Sequence, residues 1–391
     1  MINQSTLRLF ILSLALIAIN VSAQPTRSGD LDKQIQSVGE QFARALNQQD
    51  IRAMKVILDV DPLAIETYQL VFGDSDQSGK NSFIKGFKDT FFSKSVSAWF
   101  LSLQRSGGVA EYQRNIRVDG TTRALIRLNL NAEGVNYMEL IFDKNNKRVV
   151  DMFVHTTGEK LSDTMISIVA LAVPNNENLL SRLLGTKKLD NQVIKAIGQV
   201  VEFNRTGQFA KAHETLNNLP KEVQNSRYVT VMKVTLSSSV SEDAYYKELE
   251  NLANLYGNES TLGFLLVDYY FIKGQFDRLV QTIETVEKRI GVDSILESLK
   301  ANAYFMAQRH NLAMKHIEKA IAMEASNQEF YWIKAEVLNK QKKFQGLTDL
   351  FDDMATRFSL TFDPSVFEGE PEYLEFAKSA AFKTWAKQYR P

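Results

Sequence analysis

The stretch STLGFLLVDYYFIKGQFDRLVQTIETVEKRIGVD (260–293) is followed by SILESLKANAYFMAQRHNLAMKHIEKAIAMEASN (294–327) and QEFYWIKAEVLNKQKKFQGLTDLFDDMATRFSLT (328–361), three segments of 34 residues each. Gly274-Gln275-Phe276, Gln308-Arg309-His310 and Lys342-Lys343-Phe344 hold the same slot in the three copies. Around that slot Val267, Ala301 and Ala335 align, as do Tyr270, Tyr304 and Leu338, and then Ile283, Ile317 and Phe351. A constant period of this length marks an array of supersecondary units, each unable to bury its apolar face without a neighbour.

Upstream the pattern loosens. Gly207-Gln208-Phe209, with Ala212, Leu216 and Pro220, makes a first unit, and residues 227–259 a degenerate second one whose inner turn is Ser237–Ser241. Gly207 and Gly274 stand one residue short of two periods apart, which accounts for the irregularity. Beyond 361, Phe376, Phe382 and Trp385 mark a capping helix over 362–391.

With this period and these aligned positions, residues 193–361 resemble the tetratricopeptide repeat. No unit carries the full consensus: the usual tryptophan is displaced to Trp332, and the later units lack their closing prolines. The resemblance implies antiparallel helix pairs stacked into a curved solenoid that holds protein partners and almost never catalyses. It also implies a concave groove lined by the first helix of each unit. Those positions are Thr261, Phe264, Asp268, Phe271 and Ile272, then Ile295, Ser298, Asn302, Phe305 and Met306, then Glu329, Trp332, Glu336, Asn339 and Lys340. Phe264, Asp268, Phe271, Asn302, Phe305, Trp332, Glu336 and Asn339 are the candidate partner-binding residues. Aromatics supply contact area at low entropic cost, and Asn and acidic side chains fix hydrogen bonds. The alternative for Phe264, Phe271 and Phe305 is packing between helices. Relatives that clamp a carboxylate present Lys or Arg here. This chain has Leu265, Ser298, Leu299 and Ile333, with only Asn302 agreeing, so a basic or amide-rich segment suits the groove better.

The chain opens as an export signal. Arg8 precedes the apolar run Leu9–Ile19, and Val21-Ser22-Ala23 offers a small-x-small cleavage site, so the expected mature start is Gln24. That run is shorter than the ~20 residues that span a bilayer. The absence of cysteine excludes thiolate metal sites, thiol catalysis and disulfides. An exported protein of this size without disulfides fits a bacterial periplasm, although Asn204-Arg205-Thr206 and Asn258-Glu259-Ser260 are formal glycosylation sequons. Acidic and basic residues balance, with no block of like charge to meet nucleic acid or a membrane surface.

Residues 24–185 read as an α+β domain. Leu31, Ile35, Val38, Phe42, Ala45 and Leu46 form a helical stripe. Asp50 can cap a helix over Ile51–Leu58, and Pro62 opens a third helix. Ser82–Leu103 is an aromatic-rich helical stretch. Four strand-like runs follow, at Tyr112–Val118, Ala124–Leu130, Val135–Phe142 and Arg148–His155, separated by turn sequences such as Asp119-Gly120. Along the second run alternation leaves one sheet face more buried than the other. The order is loosely similar to nuclear-transport-factor-2-like domains. A further helix begins at Ser162 and breaks at Pro174, and Gly185-Thr186-Lys187-Lys188 marks the junction with the repeats at 186–361.

Other chemistry is sparse. Asp74-Ser75-Asp76-Gln77-Ser78-Gly79 opens like a calcium loop, but Lys85 stands where the bidentate Glu belongs. His213, His310 and His316 lack the spacing of a helical zinc site. Asp151 and His155 share one strand face and could serve a cavity between sheet and helices, or be an inert pair on a solvated face. No catalytic Ser elbow, phosphate loop or dinucleotide fingerprint occurs. The expectation is therefore an α+β domain followed by about five helical hairpins, acting as a non-enzymatic, cofactor-free periplasmic or secreted adaptor for a protein partner. Small-ligand binding or catalysis in the N-terminal cavity is the alternative, and a groove that accepts a second copy of the chain is a third reading.

Overall fold

The computed structural model describes residues 28–73, 79–130, 134–172, 181, 184 and 190–389. The signal segment, the calcium-like loop 74–78, the break at Pro174 and the junction at 185–188 lie outside the described residues. By compactness the chain divides into a unit reaching Tyr269 and a second starting at Tyr270.

The first unit begins with helices. In α1 (Ser28–Asn47) the expected stripe is buried from Ile35 onward, with Ile35 and Phe42 fully enclosed and Leu31 half-buried at its start. Asp50 caps α2 (Ile51–Ile57) by accepting from the Arg52 and Ala53 N–H groups at 2.9 and 3.0 Å. Pro62 lies in the first turn of α3 (Asp61–Phe72), where its missing N–H costs nothing. The aromatic stretch is three pieces: α4 (Lys80–Thr90), a π-helical turn at Phe91–Val96 and α5 (Ser97–Ser106).

The sheet is an antiparallel meander of five strands in the order β1 (Val109–Val118), β2 (Thr121–Asn129), β3 (Val135–Phe142), β4 (Val149–Val154) and β5 (Glu159–Lys160). The expected count of four is corrected by β5, a two-residue strand too short to show a period. Asp119 and Gly120 both take positive φ, as a two-residue β1–β2 hairpin requires. On one face Ala124, Ile126, Leu128, Met138, Leu140, Met152 and Val154 join the helices in one core.

The other face is buried too. Arg123, Arg127, Glu139, Asp151 and His155 are each no more than 5% exposed, so the expectation of unequal faces and a solvated Asp151–His155 strand is corrected. Later helices supply the cover. Phe264 packs against Tyr137 and His155, with ring centroids 5.6 and 6.4 Å apart. Arg227 donates to the Gly158 carbonyl at 2.9 Å and pairs with Glu159. Gly158 has φ +68°, and a Cβ there would lie 2.5 Å from the Thr261 carbonyl oxygen. Helix α6 (Leu161–Ala172) follows the sheet.

Beyond residue 190 the chain runs as consecutive helix pairs: Asn191–Arg205 with Phe209–Asn217, Arg227–Ser237 with Glu242–Tyr256, Gly263–Ile272 with Phe276–Ile290, Ser294–Met306 with His310–Met323, and Gln328–Lys340 with Phe344–Phe358. Four of the five inner turns share one geometry. Gly207, Gly274, Gln308 and Lys342 take left-handed φ of 72, 65, 59 and 53°. The following N–H, from Gln208, Gln275, Arg309 or Lys343, donates to the carbonyl five residues back at 2.8–3.0 Å. This is the Schellman closure of a helix, placed at the 34-residue period in the last three pairs. The second pair differs, turning through Ser237–Ser241 as its sequence implies.

In the second unit the slots aligned in sequence form the core. Ala301, Ala335, Ile317 and Phe351 are fully buried, the alanines letting helices approach closely. The C-terminal segment is not one helix but three short ones, Pro364–Gly369, Leu374–Lys378 and Ala380–Trp385. Phe367, Phe376 and Trp385 from it pack on Phe351, and Phe382 packs behind them.

Candidate functional site

The helix Gly263–Ile272 is apolar apart from Asp268, and the structure shows why. Phe264 is 2% exposed against the sheet, and Asp268 is 6% exposed and accepts from the Tyr245 hydroxyl at 3.0 Å. Both are occupied by the protein's own chain. Only the last turn emerges: Phe271 is half-buried against Phe276, and Ile272 is 42% exposed.

The corresponding helix Ser294–Met306 is more open at the same end. Phe305 is half-buried against the His310 ring at 5.5 Å, and Met306 is 51% exposed. Ser298 is buried and donates to the Ile295 carbonyl. Asn302 is buried, and its Oδ1 has no hydrogen-bond partner.

In Gln328–Lys340 the row is largely committed to the C-terminal segment. Trp332 packs on Phe351 and Phe362 at 6.0 and 6.1 Å. Asn339 is buried and donates to the Glu372 carbonyl at 2.9 Å. Glu336 is half-buried near Tyr373, whose hydroxyl is pushed up by burial and by the carboxylates of Glu336, Glu372 and Glu370. Of the eight candidates, Phe264, Asp268, Asn302 and Asn339 are thus buried, while Phe271, Phe305, Trp332 and Glu336 keep part of their surface. The exposed apolar ends of the row are Ile272 and Met306, repeat equivalents one period apart.

Two acid-centred networks leave no motif in the sequence because most of their partners come from other helices. Glu297, fully buried, accepts from Lys300, His316 Nδ1 and Lys319 at 3.0, 2.6 and 2.5 Å. Burial alone would raise its carboxyl, but these hydrogen bonds outweigh it and hold the group at about 2. Lys300 also pairs with Glu287. Glu248, 2% exposed, accepts from His213 Nε2 at 3.1 Å and Lys233 at 3.0 Å. His213 and His316 therefore hydrogen-bond buried carboxylates. Among the described residues no His, Asp and Glu cluster could hold a metal.

Asp151 and His155 have separate hydrogen-bond partners. His155 Nε2 lies 2.9 Å from Glu139, which also takes Arg123 at 2.7 Å. Asp151 accepts from Ser162 Oγ and the Met152 N–H, and burial pushes its carboxyl well up. Between helices and sheet, the cavity lined by Leu46, Trp99, Leu103, Leu128, Leu130 and Met138 measures ≈ 10 Å³, too little for a small-molecule ligand.

No family model matches the chain, and no curated protein does. Among solved structures it is similar to MamA 41-end from Desulfovibrio magneticus RS-1, at 10% identity over 44% of this chain and 97% of that one, with a TM-score of 0.36. No described helix is long and apolar enough to cross a membrane.

Proposed function

We propose that this protein is an exported, non-enzymatic adaptor of the tetratricopeptide kind, whose helix pairs stack as a solenoid and hold a segment of a protein partner. The observation that carries this reading is the recurrence of one closed turn at Gly274, Gln308 and Lys342, which places chemically equivalent helix positions at a fixed period. Ile272 and Met306 are such equivalents, and both leave large apolar side chains in water. Phe271 and Phe305 lie beside them with part of each ring accessible. A partner segment that covers this row gains apolar burial around half-exposed aromatics, the composition typical of binding hot spots. Phe264 and Asp268 contribute by holding the helix, and Trp332 and Asn339 by holding the C-terminal segment.

The periplasm is the proposed location, on the strength of the leading apolar segment and the absence of cysteine. The test begins with crosslinking capture from envelope extracts and continues with the purified partner. Ile272→Ala/Met306→Ala is expected to weaken that complex at least tenfold. Val56→Ala, a change at a more exposed apolar residue of the first unit, is expected to leave it unchanged. Equal affinity for all three proteins would remove the site from this row.

A further inference from the structure

The inner turns of the last two helix pairs frame a surface cleft of ≈ 560 Å³, lined by Gln308, Arg309, His310, Leu312, Gln341 and Lys343, with Asn311 beside them. This volume is in the range of sites that take small ligands. The lining holds no acid. Arg309 and Lys343 bring two cations, and the rest is amide, imidazole and the 39% exposed Leu312. Arg309 donates to both carboxylate oxygens of Asp277, at 2.5 and 3.1 Å, in a pair 47% and 67% exposed, and its guanidinium keeps further donors for a second acceptor. Lys343 has no ion pair among the described residues. Two lining atoms, His310 Nδ1 and Gln341 Oε1, are buried without a hydrogen-bond partner.

The turns themselves point the same way. The first and third pairs place glycine in the left-handed slot, at Gly207 and Gly274, where it costs nothing. Of the two pairs that frame the cleft, one uses Gln308 there and so presents a side chain to the cleft at the cost of strain, while Lys342 in the other pairs with Glu375.

We propose that this cleft binds a short acidic peptide segment. A Glu or Asp carboxylate sits against Arg309 and Lys343, main-chain groups meet Gln308, Asn311 and Gln341, and an apolar side chain covers Leu312. A bare inorganic anion would answer the cations alone and leave the amides and Leu312 unused. The proposal does not rest on the Ile272–Met306 row.

The experiment is fluorescence polarisation of a labelled Leu-Glu-Glu-Leu-Glu-Glu peptide with the full chain. The expected result is saturable binding that weakens at least tenfold with Arg309→Glu/Lys343→Glu, or with Gln replacing Glu in the peptide. A peptide with Lys in place of Glu is expected to bind the charge-reversed variant better than the native protein. Lys343→Gln, which removes an exposed charge and no hydrogen bond, is expected to weaken binding about threefold. Ile272→Ala/Met306→Ala is expected to have no effect, so this proposal and the apolar row can fail separately. The idea is overturned by no binding, by binding indifferent to the Arg309 and Lys343 changes, by equal weakening in the Ile272/Met306 variant, or by phosphate or an oligonucleotide competing as well as unlabelled peptide.

Discussion

The helices Gly263–Ile272 and Ser294–Met306 occupy the same place in successive repeats, yet their equivalent residues meet different fates. Phe264 is sealed against a β-sheet, where its repeat counterpart Ser298 bonds only to its own helix. Asp268 is held by Tyr245, whereas its counterpart Asn302 is buried with Oδ1 unpartnered. At the far end the two helices converge again, with Phe271 and Phe305 each on the ring five residues ahead and Ile272 and Met306 exposed. The comparison shows that a repeat position sets which way a side chain points. What covers that side chain is set elsewhere.

The largest expected effect tests the sheet contact. Phe264→Ala should destabilise the protein by about 3–5 kcal/mol in urea unfolding, as for a fully buried aromatic. Phe305→Ala, only half-buried, should cost no more than about 2 kcal/mol. Equal losses would break the distinction between the two helices.

Next comes the acid inside Ser294–Met306. Glu297→Gln leaves Lys319 and His316 without their carboxylate and Lys300 with Glu287 alone, and about 3 kcal/mol of stability should be lost. Because the folded carboxyl is depressed to about 2, its contribution is fully present above the unfolded value near 4.3. It should fall away as pH drops from there through about 2. The native protein should therefore lose more stability than Glu297→Gln over that window, and parallel pH profiles would contradict the network.

A smaller effect tests the turns. Gln308→Gly and Lys342→Gly should each stabilise by about 0.5–1 kcal/mol, while Gly274→Ala should destabilise by about 1 kcal/mol. The smallest effect is at the surface. Ile272→Ala and Met306→Ala should stay within about 0.5 kcal/mol of native stability, so that any loss of partner binding reports on the contact itself.

Much of this architecture is legible before any coordinates. The helix cap at Asp50, the strand runs, the Asp119-Gly120 hairpin and the 34-residue turns follow from contacts a few residues apart. The degenerate second pair also announces itself, by its serines and its broken spacing. The two-residue β5 does not, because two residues carry no period. The acid centres at Glu297 and Glu248 are equally silent, since apart from Lys300, three residues along the same helix, their partners arrive from helices 15 to 35 residues away.

The candidate row was legible in part. Its positions came from the repeat register, and Phe271, Phe305, Trp332 and Glu336 do keep accessible surface. The burial of Phe264, Asp268 and Asn339 could not be read, since it depends on Tyr137, Tyr245 and Glu372. Sequence alone determined the local units, because helix periodicity, capping and turn chemistry act over three to five residues. Only the tertiary structure decided which faces of those units meet water, because the sheet, the early helices and the C-terminal segment that cover them are distant in the chain and leave no periodic trace in the helices they cover.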